Sequence, residues 1–312
     1  MKVIVQVPCL NEEKTLGLVL DSIPKKIPGV DEIEVIIIDD GSTDKTVAIA
    51  KAHGVKHIVY HVSNRGLVAS FRDGVNLALE LGADILVNTD GDNQYPQARI
   101  GDLVQPIIRG EADIVIADRQ THAIEHFSST KKFLQKVGTG IVNFAAGTDI
   151  PDAASGFRAY SKESLLKLNY VTSFSYAMET IIQAGNKRLA ITSMPIDVNP
   201  VTRESRLFKS MWSHVYHSGV AISRAYVMYR PYTLFVGLGI ILLLAGAVPF
   251  IRFLILQAFD DQGRHIQSLI LGTVFFTGAF LSFVLGVLAD LIRINRRLHE
   301  ETLEQIRTER FK

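Results

Sequence analysis

The chain has 312 residues, and its 33 lysines and arginines nearly balance its 32 aspartates and glutamates. This balance gives no overall attraction to nucleic acid, so we expect no nucleic-acid partner. The single cysteine, Cys9, excludes an internal disulfide and is typical of a reducing compartment. The mean hydropathy of +0.20 is high for a soluble enzyme, which indicates that apolar residues are concentrated in one part of the chain.

Strands and helices alternate over the first third of the chain. Apolar runs predict strands at residues 3–7, 34–38, 57–60, 83–88 and 113–117, and helical spacing predicts helices at 15–23, 45–53, 67–81 and 100–109. This alternation predicts an α/β fold whose mostly parallel sheet is covered by helices on both faces. Ligands of such sheets bind at the carboxyl ends of the strands. Five polar residues lie at those ends: Asn11, Asp39, Asp40, Asp90 and Asp92.

The acidic cluster Asp90-Gly91-Asp92-Asn93-Gln94 directly follows the fourth predicted strand. Two carboxylates one residue apart can hold one hard divalent cation. Mg²⁺ or Mn²⁺ prefers oxygen ligands and usually shares them with a substrate phosphate. A polar turn would contain the same residue types, so the residues alone leave both interpretations open.

Two apolar stretches near the C-terminus, about 234–256 and 268–290, are each long enough to cross a hydrocarbon core about 30 Å thick. A pair of buried core helices is the alternative. Arginines lie just outside the pair on both sides: Arg224, Arg230, Arg293, Arg296 and Arg297. The positive-inside rule therefore predicts a multi-pass protein of the cell membrane, or of an equivalent membrane facing the cytosol, with the catalytic part and both termini in the cytoplasm.

Aromatic and basic residues alternate at helical spacing in residues 207–230. This pattern favours amphipathic helices in the membrane interface, in contact with lipids, although a helix packed on a domain would look similar. The predicted organisation is a catalytic domain at 1–206, these interfacial helices, two transmembrane helices within 231–292, and a charged cytosolic tail at 293–312.

Three motifs resemble those of family 2 of the nucleotide-sugar glycosyltransferases, which have the Rossmann-like GT-A fold. They are Pro8-Cys9-Leu10-Asn11-Glu12, Asp39-Asp40-Gly41-Ser42-Thr43-Asp44 and the acidic cluster. The segment Asp152-Ala153-Ala154-Ser155-Gly156-Phe157-Arg158 is similar to the Asp-x-x-Ser-Gly-Phe segment of polyprenyl-phosphate glycosyltransferases, the group that includes dolichol-phosphate mannose synthase. Residues 202–206 resemble their mobile acceptor loop, which we expect near 199–206.

The resemblance implies roles for individual residues. For the nucleotide pocket it implies Pro8, Asn11, Glu12, Asp39, Asp40, Gly66 and Arg72. For a Mg²⁺ or Mn²⁺ ion it implies Asp90, Asp92 and Gln94, with Asp90, Asp92 and Arg203 as the catalytic residues. For the acceptor phosphate it implies Ser155 and Arg158, with Lys132 and Lys136 as further candidates. Family members often carry an arginine where this chain has Pro151, and Arg158 or one of the two lysines would replace its charge.

The implied reaction moves one sugar, with inversion, from a nucleoside-diphosphate sugar to a polyprenyl or dolichyl phosphate. GDP-mannose and a UDP-hexose both remain open as donor, and a homo-oligomer remains open as the assembly. One alternative is a transferase of the same fold that uses a lipid or glycan hydroxyl as acceptor. Another is a membrane scaffold that has lost catalysis. Residues 183–189 do not match the Gln-x-x-Arg-Trp motif of processive synthases, which argues against a polymerase.

Overall fold

The computed structural model describes residues 1–121, 129–170, 176–200, 227, 231–258 and 266–311. The chain divides into two compact units. The first comprises Met1–Ile222 together with Leu303–Lys312, and the second comprises Ser223–Thr302.

The described part of the first unit contains one sheet of seven strands. They are β1 (Lys2–Cys9), β2 (Glu32–Asp39), β3 (His57–Tyr60), β4 (Ile85–Asn88), β5 (Ile114–Asp118), β6 (Arg158–Ser161) and β7 (Ile191–Pro195). Their order across the sheet is β3-β2-β1-β4-β6-β5-β7. All neighbouring pairs are parallel except those of β6, which runs antiparallel to β4 and β5. The predicted α/β fold with a mostly parallel sheet is confirmed.

Helices cover both faces of the sheet. They are α1 (Leu16–Ser22), α2 (Thr46–Ala52), α3 (Leu67–Glu80), α4 (Ile100–Ile108), α5 (Ser129–Ala146), α6 (Lys162–Lys167) and α7 (Tyr176–Asn186). One face of β1 presents buried Val5 to a core that includes Leu16 of α1 and Leu103 of α4. On the other face lies α3, whose Gly74 lies so close to β1 and β2 that an added Cβ would be 2.8 Å from the Ile38 side chain. Burial on both faces explains why the strands have continuous apolar sequences.

The antiparallel direction of β6 determines where the Asp-x-x-Ser-Gly-Phe segment lies. Arg158, the first residue of β6, is paired with Asn88, the last residue of β4. The turn at residues 152–157 therefore lies at the edge of the sheet where β4 and its parallel neighbours end. This edge also carries the acidic cluster, so two motifs that are distant in sequence become neighbours.

The second unit contains two long helices, α8 (Pro231–Ala258) and α9 (Ile266–Arg310), and both are long and apolar enough to cross a membrane. They pack directly on each other through glycines, since a Cβ on Gly246 would lie 3.2 Å from the Gly272 carbonyl oxygen. Ile241 and Val274 are 64% and 61% exposed, as are many of their apolar neighbours. Such exposure argues against the alternative of buried core helices, because core helices bury their apolar side chains.

Helix α9 continues well beyond the apolar stretch, and its last turns belong to the first unit. Arg307 donates a hydrogen bond to the Leu168 carbonyl oxygen at 2.7 Å, Arg310 pairs with Glu80 at 2.6 Å, and Phe311 is buried. The end of the predicted charged tail is thus packed within the first unit. Its sequence gave no sign of this, because charged residues at helical spacing are also typical of a solvated helix.

Candidate active site

The loops that follow β1 and β2 hold each other in place. Asn11 adopts a left-handed conformation with φ of 55°. Its side-chain oxygen accepts a hydrogen bond from the Thr43 N–H at 2.8 Å, and its own N–H donates to the Ser42 hydroxyl at 2.9 Å. Gly41 has φ of +83°, and a Cβ there would lie 2.9 Å from the Ser63 carbonyl carbon. The first two motifs therefore form one continuous polar surface at the sheet edge.

Asp40 connects this surface to the loop after β3. Its carboxylate accepts hydrogen bonds from the backbone N–H groups of Arg65 at 2.8 Å and Gly66 at 3.0 Å. His61 lies between two carboxylates, with Nδ1 2.7 Å from Asp40 and Nε2 3.1 Å from Asp73. The imidazole ring therefore bridges the two carboxylates. Asp40 is therefore held in one orientation from several sides.

The other predicted nucleotide residues lie around the same edge. Pro8 is buried in β1 opposite Ile38, and Asp39 accepts a hydrogen bond from the Ser42 N–H at 3.2 Å. Arg72, on the second turn of α3, pairs with Asp73 at 3.1 Å. The nucleotide contacts of these residues stay predictions.

The acidic cluster packs directly against the first motif. Glu12 is buried, and its carboxylate lies 3.1 Å from the Thr15 hydroxyl. The same hydroxyl lies 2.8 Å from the Gly91 carbonyl oxygen. A Cβ on Gly91 would be 3.1 Å from the Cys9 sulfur, so only a glycine fits here without a shift. Burial raises the pKa of the Cys9 thiol well above its ordinary value, which agrees with a packing role for this residue.

Asp90 lies against the turn that precedes β6. A Cβ on Gly156 would lie 3.3 and 3.4 Å from the two Asp90 carboxylate oxygens, and 3.3 Å from the Tyr176 hydroxyl. Asp92 is half-buried, and its carboxylate accepts a hydrogen bond from the Gln94 N–H at 3.1 Å. The absence of a side chain at Gly156 thus leaves room beside Asp90.

Buried polar side chains fix Gly156 from both sides. Asn88 donates to the Gly156 carbonyl oxygen at 2.7 Å and to the Tyr176 hydroxyl at 2.9 Å, while its own oxygen accepts from Gln6 at 2.8 Å. The Tyr95 hydroxyl accepts from the Gly156 N–H at 3.0 Å. We did not predict these contacts. The available signal was the amide side chains of Gln6 and Asn88 within otherwise apolar strands, since buried polar groups require partners.

Asn199 attaches the start of the predicted acceptor loop to the acidic cluster. Its N–H donates to the Gln94 carbonyl oxygen at 2.9 Å, and its side chain donates to the Asn93 carbonyl oxygen at 3.0 Å. Asn93 has φ of 58°, so the turn after Asp92 is tight. Arg203, the predicted catalytic residue of this loop, lies outside the described residues.

Arg119 is a site residue that the sequence analysis missed. It lies just after β5 and forms a bidentate ion pair with Asp152, in which Nε donates to Oδ2 at 2.7 Å and Nη2 donates to Oδ1 at 2.9 Å. Burial acts to raise the pKa of Asp152, but the charge and hydrogen bonds of Arg119, together with the Ala154 N–H, lower it, and the net pKa is below its usual value. Burial acts to lower the pKa of Arg119, but Tyr95, Asp152 and Asp90 together raise it. The pair is therefore ionised at neutral pH, and a positive charge lies near Asp90.

Arg158 does not have the position that the resemblance implied. Its guanidinium is fully buried, with Nε donating to the Ser155 carbonyl oxygen at 2.7 Å and Nη2 to that of Ala153 at 2.9 Å. Nη1 donates to the Ala177 carbonyl oxygen at 2.7 Å and to the Thr180 hydroxyl at 3.0 Å. The correction follows from this burial: Arg158 joins the turn before β6 to α7 and has no exposed surface for a phosphate.

The other predicted acceptor residues lie in the same turn or on α5, which contacts it. Ser155 is fully buried, and its hydroxyl has no hydrogen-bond partner among the described residues. Lys132 and Lys136 lie on α5, which contacts the turn where the Thr139 hydroxyl accepts from the Ala153 N–H at 3.4 Å. Lys136 is exposed and Lys132 is half-buried. Their contact with an acceptor phosphate stays a prediction.

Replacing Arg158 with methionine tests the correction. We expect the free energy of unfolding to fall by about 3 kcal/mol, because buried carbonyl oxygens lose their donor. We expect the KM for polyprenyl phosphate, measured on folded protein well below the melting temperature, to change by less than about threefold. The matched control is Arg109→Met, which removes an exposed arginine whose ion pair with Glu111 lies at the surface, and we expect neither the stability nor the KM to change appreciably. An unchanged melting temperature with a tenfold higher KM would restore Arg158 as a phosphate ligand.

Comparison with known protein families agrees with this geometry. Residues 4–168 match the model of glycosyl transferase family 2. The chain belongs to this family, and it is a glycosyltransferase, as the motifs predicted. The match ends shortly after the Asp-x-x-Ser-Gly-Phe turn and β6.

Two relatives of this chain have names that state their reactions. One is the UDP-N-acetylglucosamine–dolichyl-phosphate N-acetylglucosaminyltransferase of Methanococcus voltae, with 31% identity over 61% of this chain and 82% of the relative. Another is the polyprenol monophosphomannose synthase of Mycolicibacterium smegmatis, with 26% identity over 62% of this chain and 76% of the relative. Both names describe transfer to a polyprenol-type carrier, but they differ in the sugar.

Among solved structures, the chain is similar to glucosyl-3-phosphoglycerate synthase of Mycobacterium tuberculosis in complex with Mn²⁺, UDP and phosphoglyceric acid. The TM-score is 0.56 at 22% identity, over 71% of this chain and 78% of that chain. This similarity establishes the fold alone, and the predicted GT-A fold is confirmed.

Proposed function

We propose that this protein transfers one sugar from a nucleoside-diphosphate sugar to a polyprenyl phosphate in a membrane. One observation supports this proposal above all: the carboxylate of Asp90 lies against Gly156. The acidic cluster is suited to a divalent cation that binds the donor diphosphate. The turn with Gly156 resembles the segment characteristic of polyprenyl-phosphate enzymes. Their contact supports the proposal, because phosphates bound at these two places would lie within reach of each other.

The residues present fit a divalent cation. Asp90 and Asp92 supply carboxylate oxygens and Gln94 an amide oxygen, which are the ligands Mg²⁺ and Mn²⁺ prefer. Within the described residues no group of three or more His, Cys, Asp or Glu side chains is arranged for metal binding. The donor diphosphate and water are therefore needed to complete the shell, as is usual for Mg²⁺. When bound, either ion neutralises negative charge on the departing diphosphate.

The protein's own residues position the reactants. A phosphate monoester has a second pKa of about 6 and is largely ionised at neutral pH, so the nucleophile requires no strong general base. Burial, opposed by Arg119 and aided by Asp90, raises the pKa of Tyr95 to about 12. Tyr95 therefore stays protonated and holds Gly156 instead of accepting a proton from the substrate. Direct attack by the phosphate oxygen on the anomeric carbon gives inversion.

On the acceptor side we assign the lipid phosphate to the turn before β6. The buried Ser155 hydroxyl, which has no partner among the residues described, is proposed to donate to a phosphate oxygen once the turn opens for the acceptor. Arg119, Lys132 and Lys136 supply positive charge around it, and Arg203 is proposed to approach from the acceptor loop. We propose that Arg119, and not Arg158, supplies the arginine charge beside the acceptor turn.

Membrane attachment follows from the acceptor's chemistry. A polyprenyl phosphate keeps its chain in the bilayer and its phosphate at the surface, so the active site has to work at that surface. Helices α8 and α9 are proposed to span the membrane as a hairpin, with the first unit in the cytoplasm. The donor stays open between GDP-mannose and a UDP-hexose, since the two relatives differ in their sugar.

Mass spectrometry of the lipid product tests the proposal. The purified full chain in nanodiscs is incubated with Mn²⁺, a polyprenyl phosphate and one nucleotide sugar at a time. We expect one donor to add a single sugar to the lipid phosphate, with the anomeric configuration inverted. Transfer to a competing lipid or glycan hydroxyl would instead support the alternative acceptor, and no transfer or nucleotide release from any donor would support an inactive scaffold.

A further inference from the structure

The outer surface of α5 carries an exposed apolar stripe. Phe133, Val137, Ile141 and Phe144 are 65%, 40%, 38% and 64% exposed. At about 100° per residue these four positions fall within an arc of about 80°, so they form one continuous band along the helix. We call this band the α5 stripe. Soluble surfaces rarely expose so many large apolar side chains together, which marks the stripe as an interaction surface.

The rest of α5 is packed within the first unit. Val142 and Ala145 are buried, and α5 packs along α7. Asn143 holds the segment before the turn, donating to the Ile150 carbonyl oxygen at 2.9 Å and accepting from the Ile150 N–H at 3.0 Å. The α5 stripe therefore points outward from a helix that cannot easily rotate to bury it.

The charge of α5 indicates what the stripe contacts. The helix contains three lysines, Lys131, Lys132 and Lys136, and no acidic residue. By helical spacing, Lys132 lies on the face of α5 that holds the Asp152–Gly156 turn through Thr139, and Lys136 lies between that face and the stripe. An apolar band with lysines beside it complements an anionic lipid surface, which offers acyl chains and negatively charged headgroups together.

We propose that the α5 stripe enters the headgroup and acyl boundary of an anionic bilayer. The inference goes beyond the proposed reaction, because it assigns the catalytic unit its own membrane contact, whichever sugar is transferred. The inference rests on the proposed attachment of the chain to a membrane, and it does not depend on catalytic activity. The apolar side chains would enter by about 5–10 Å, while Lys132 and Lys136 would remain among the lipid phosphates near the acceptor turn.

Site-directed spin labelling of the full chain tests this contact. Cys9 is buried, so a new cysteine is the only exposed thiol among the described residues. Phe133→Cys and Ile141→Cys would carry nitroxides in nanodiscs of phosphatidylcholine and phosphatidylglycerol. The matched control is Leu18→Cys, an apolar residue of α1 that is 55% exposed. Unlabelled wild type shows the background, and thermal unfolding shows that each variant is folded. Val137→Cys replaces either stripe variant that fails to fold.

Power saturation of the nitroxide signals distinguishes the possible occupants. We expect labels on the α5 stripe to be several-fold more accessible to oxygen than to a water-soluble nickel chelate, with the reverse at Leu18. Replacing phosphatidylglycerol with phosphatidylcholine should reduce this difference. High accessibility to nickel would show a solvated surface and overturn the proposal. Protection from both reagents would show that protein covers the stripe, and this result would also overturn the proposal. The covering protein would be a second copy if dipolar broadening is present, and residues 201–226 of this chain if it is absent. Because no substrate is used, failure here is separate from failure of the proposed reaction.

Discussion

Replacing Asp92 with alanine is expected to reduce kcat/KM for sugar transfer by about 10³-fold. The carboxylate of Asp92 is proposed to hold the cation that stabilises the departing diphosphate, and such a loss corresponds to about 4 kcal/mol of transition-state stabilisation. The Mn²⁺ concentration for half-maximal activity should also rise. Steady-state kinetics with the donor identified by the mass-spectrometric panel measures both quantities.

The matched control for Asp92 is Asp102→Ala. Asp102 lies on α4, its side chain is 57% exposed, and its ion pair with Arg99 is at the surface. An exposed pair of this kind contributes about 0–1 kcal/mol, so we expect activity within about twofold of wild type. If Asp92→Ala released nucleoside diphosphate from the donor as fast as the control, the catalytic cation would not be at the acidic cluster.

Replacing Asp152 with asparagine is expected to lower the free energy of unfolding by about 3–5 kcal/mol. The substitution leaves the Arg119 guanidinium, whose side chain is only 13% exposed, without its carboxylate. For a domain of this size the loss corresponds to a melting temperature lower by roughly 10 °C. Thermal unfolding at neutral pH measures the change.

The pH dependence gives an independent check on the same pair. The pKa of Asp152 in the folded protein is below its ordinary value of 3.8, because Arg119 and the Ala154 N–H together outweigh the effect of burial. Its contribution to stability is therefore fully present above about pH 4 and is lost as the pH falls through the folded-state pKa. The difference in stability between wild type and Asp152→Asn should shrink on acidification below about pH 4.

The double variant Arg119→Met with Asp152→Asn separates stability from function. Removing the buried charge should recover part of the lost stability, because an unpaired guanidinium is then no longer buried. Sugar transfer should stay low, since the proposed positive charge beside the acceptor turn is gone. A single Asp152→Asn variant within 1 kcal/mol of wild type would contradict this account of the ion pair.

The first half of the fold could be predicted from the sequence because its central strands, β1 and β4, are buried on both faces. The strand at 57–60 is identical to β3, and the other predicted strands differ from the structure by a few residues at their ends. Continuous apolar runs leave little ambiguity, and polar residues collect where parallel strands end. The convergence of Asn11, Asp40 and Asp90 on one edge followed from that topology.

The acceptor side could not be predicted in the same way, because it depends on long-range pairing. The four-residue β6 is antiparallel and carries the fully buried Arg158, whereas arginine is usually a surface residue. No local pattern shows that Arg158 donates to carbonyl oxygens, or that Arg119 pairs with Asp152. A charged residue beside a motif therefore indicates a site only after its burial is known.

The central claim is that Asp90 and Asp92 hold a divalent cation against the donor diphosphate. Crystals of the full chain soaked with Mn²⁺ and a nucleoside diphosphate, measured at the manganese absorption edge, test it most directly. The account predicts an anomalous peak within bonding distance of the Asp92 carboxylate and a diphosphate oxygen, with the Asp90 carboxylate beside it. Nucleotide bound at Asp40 with no manganese at the acidic cluster, and with both carboxylates turned away, would contradict it.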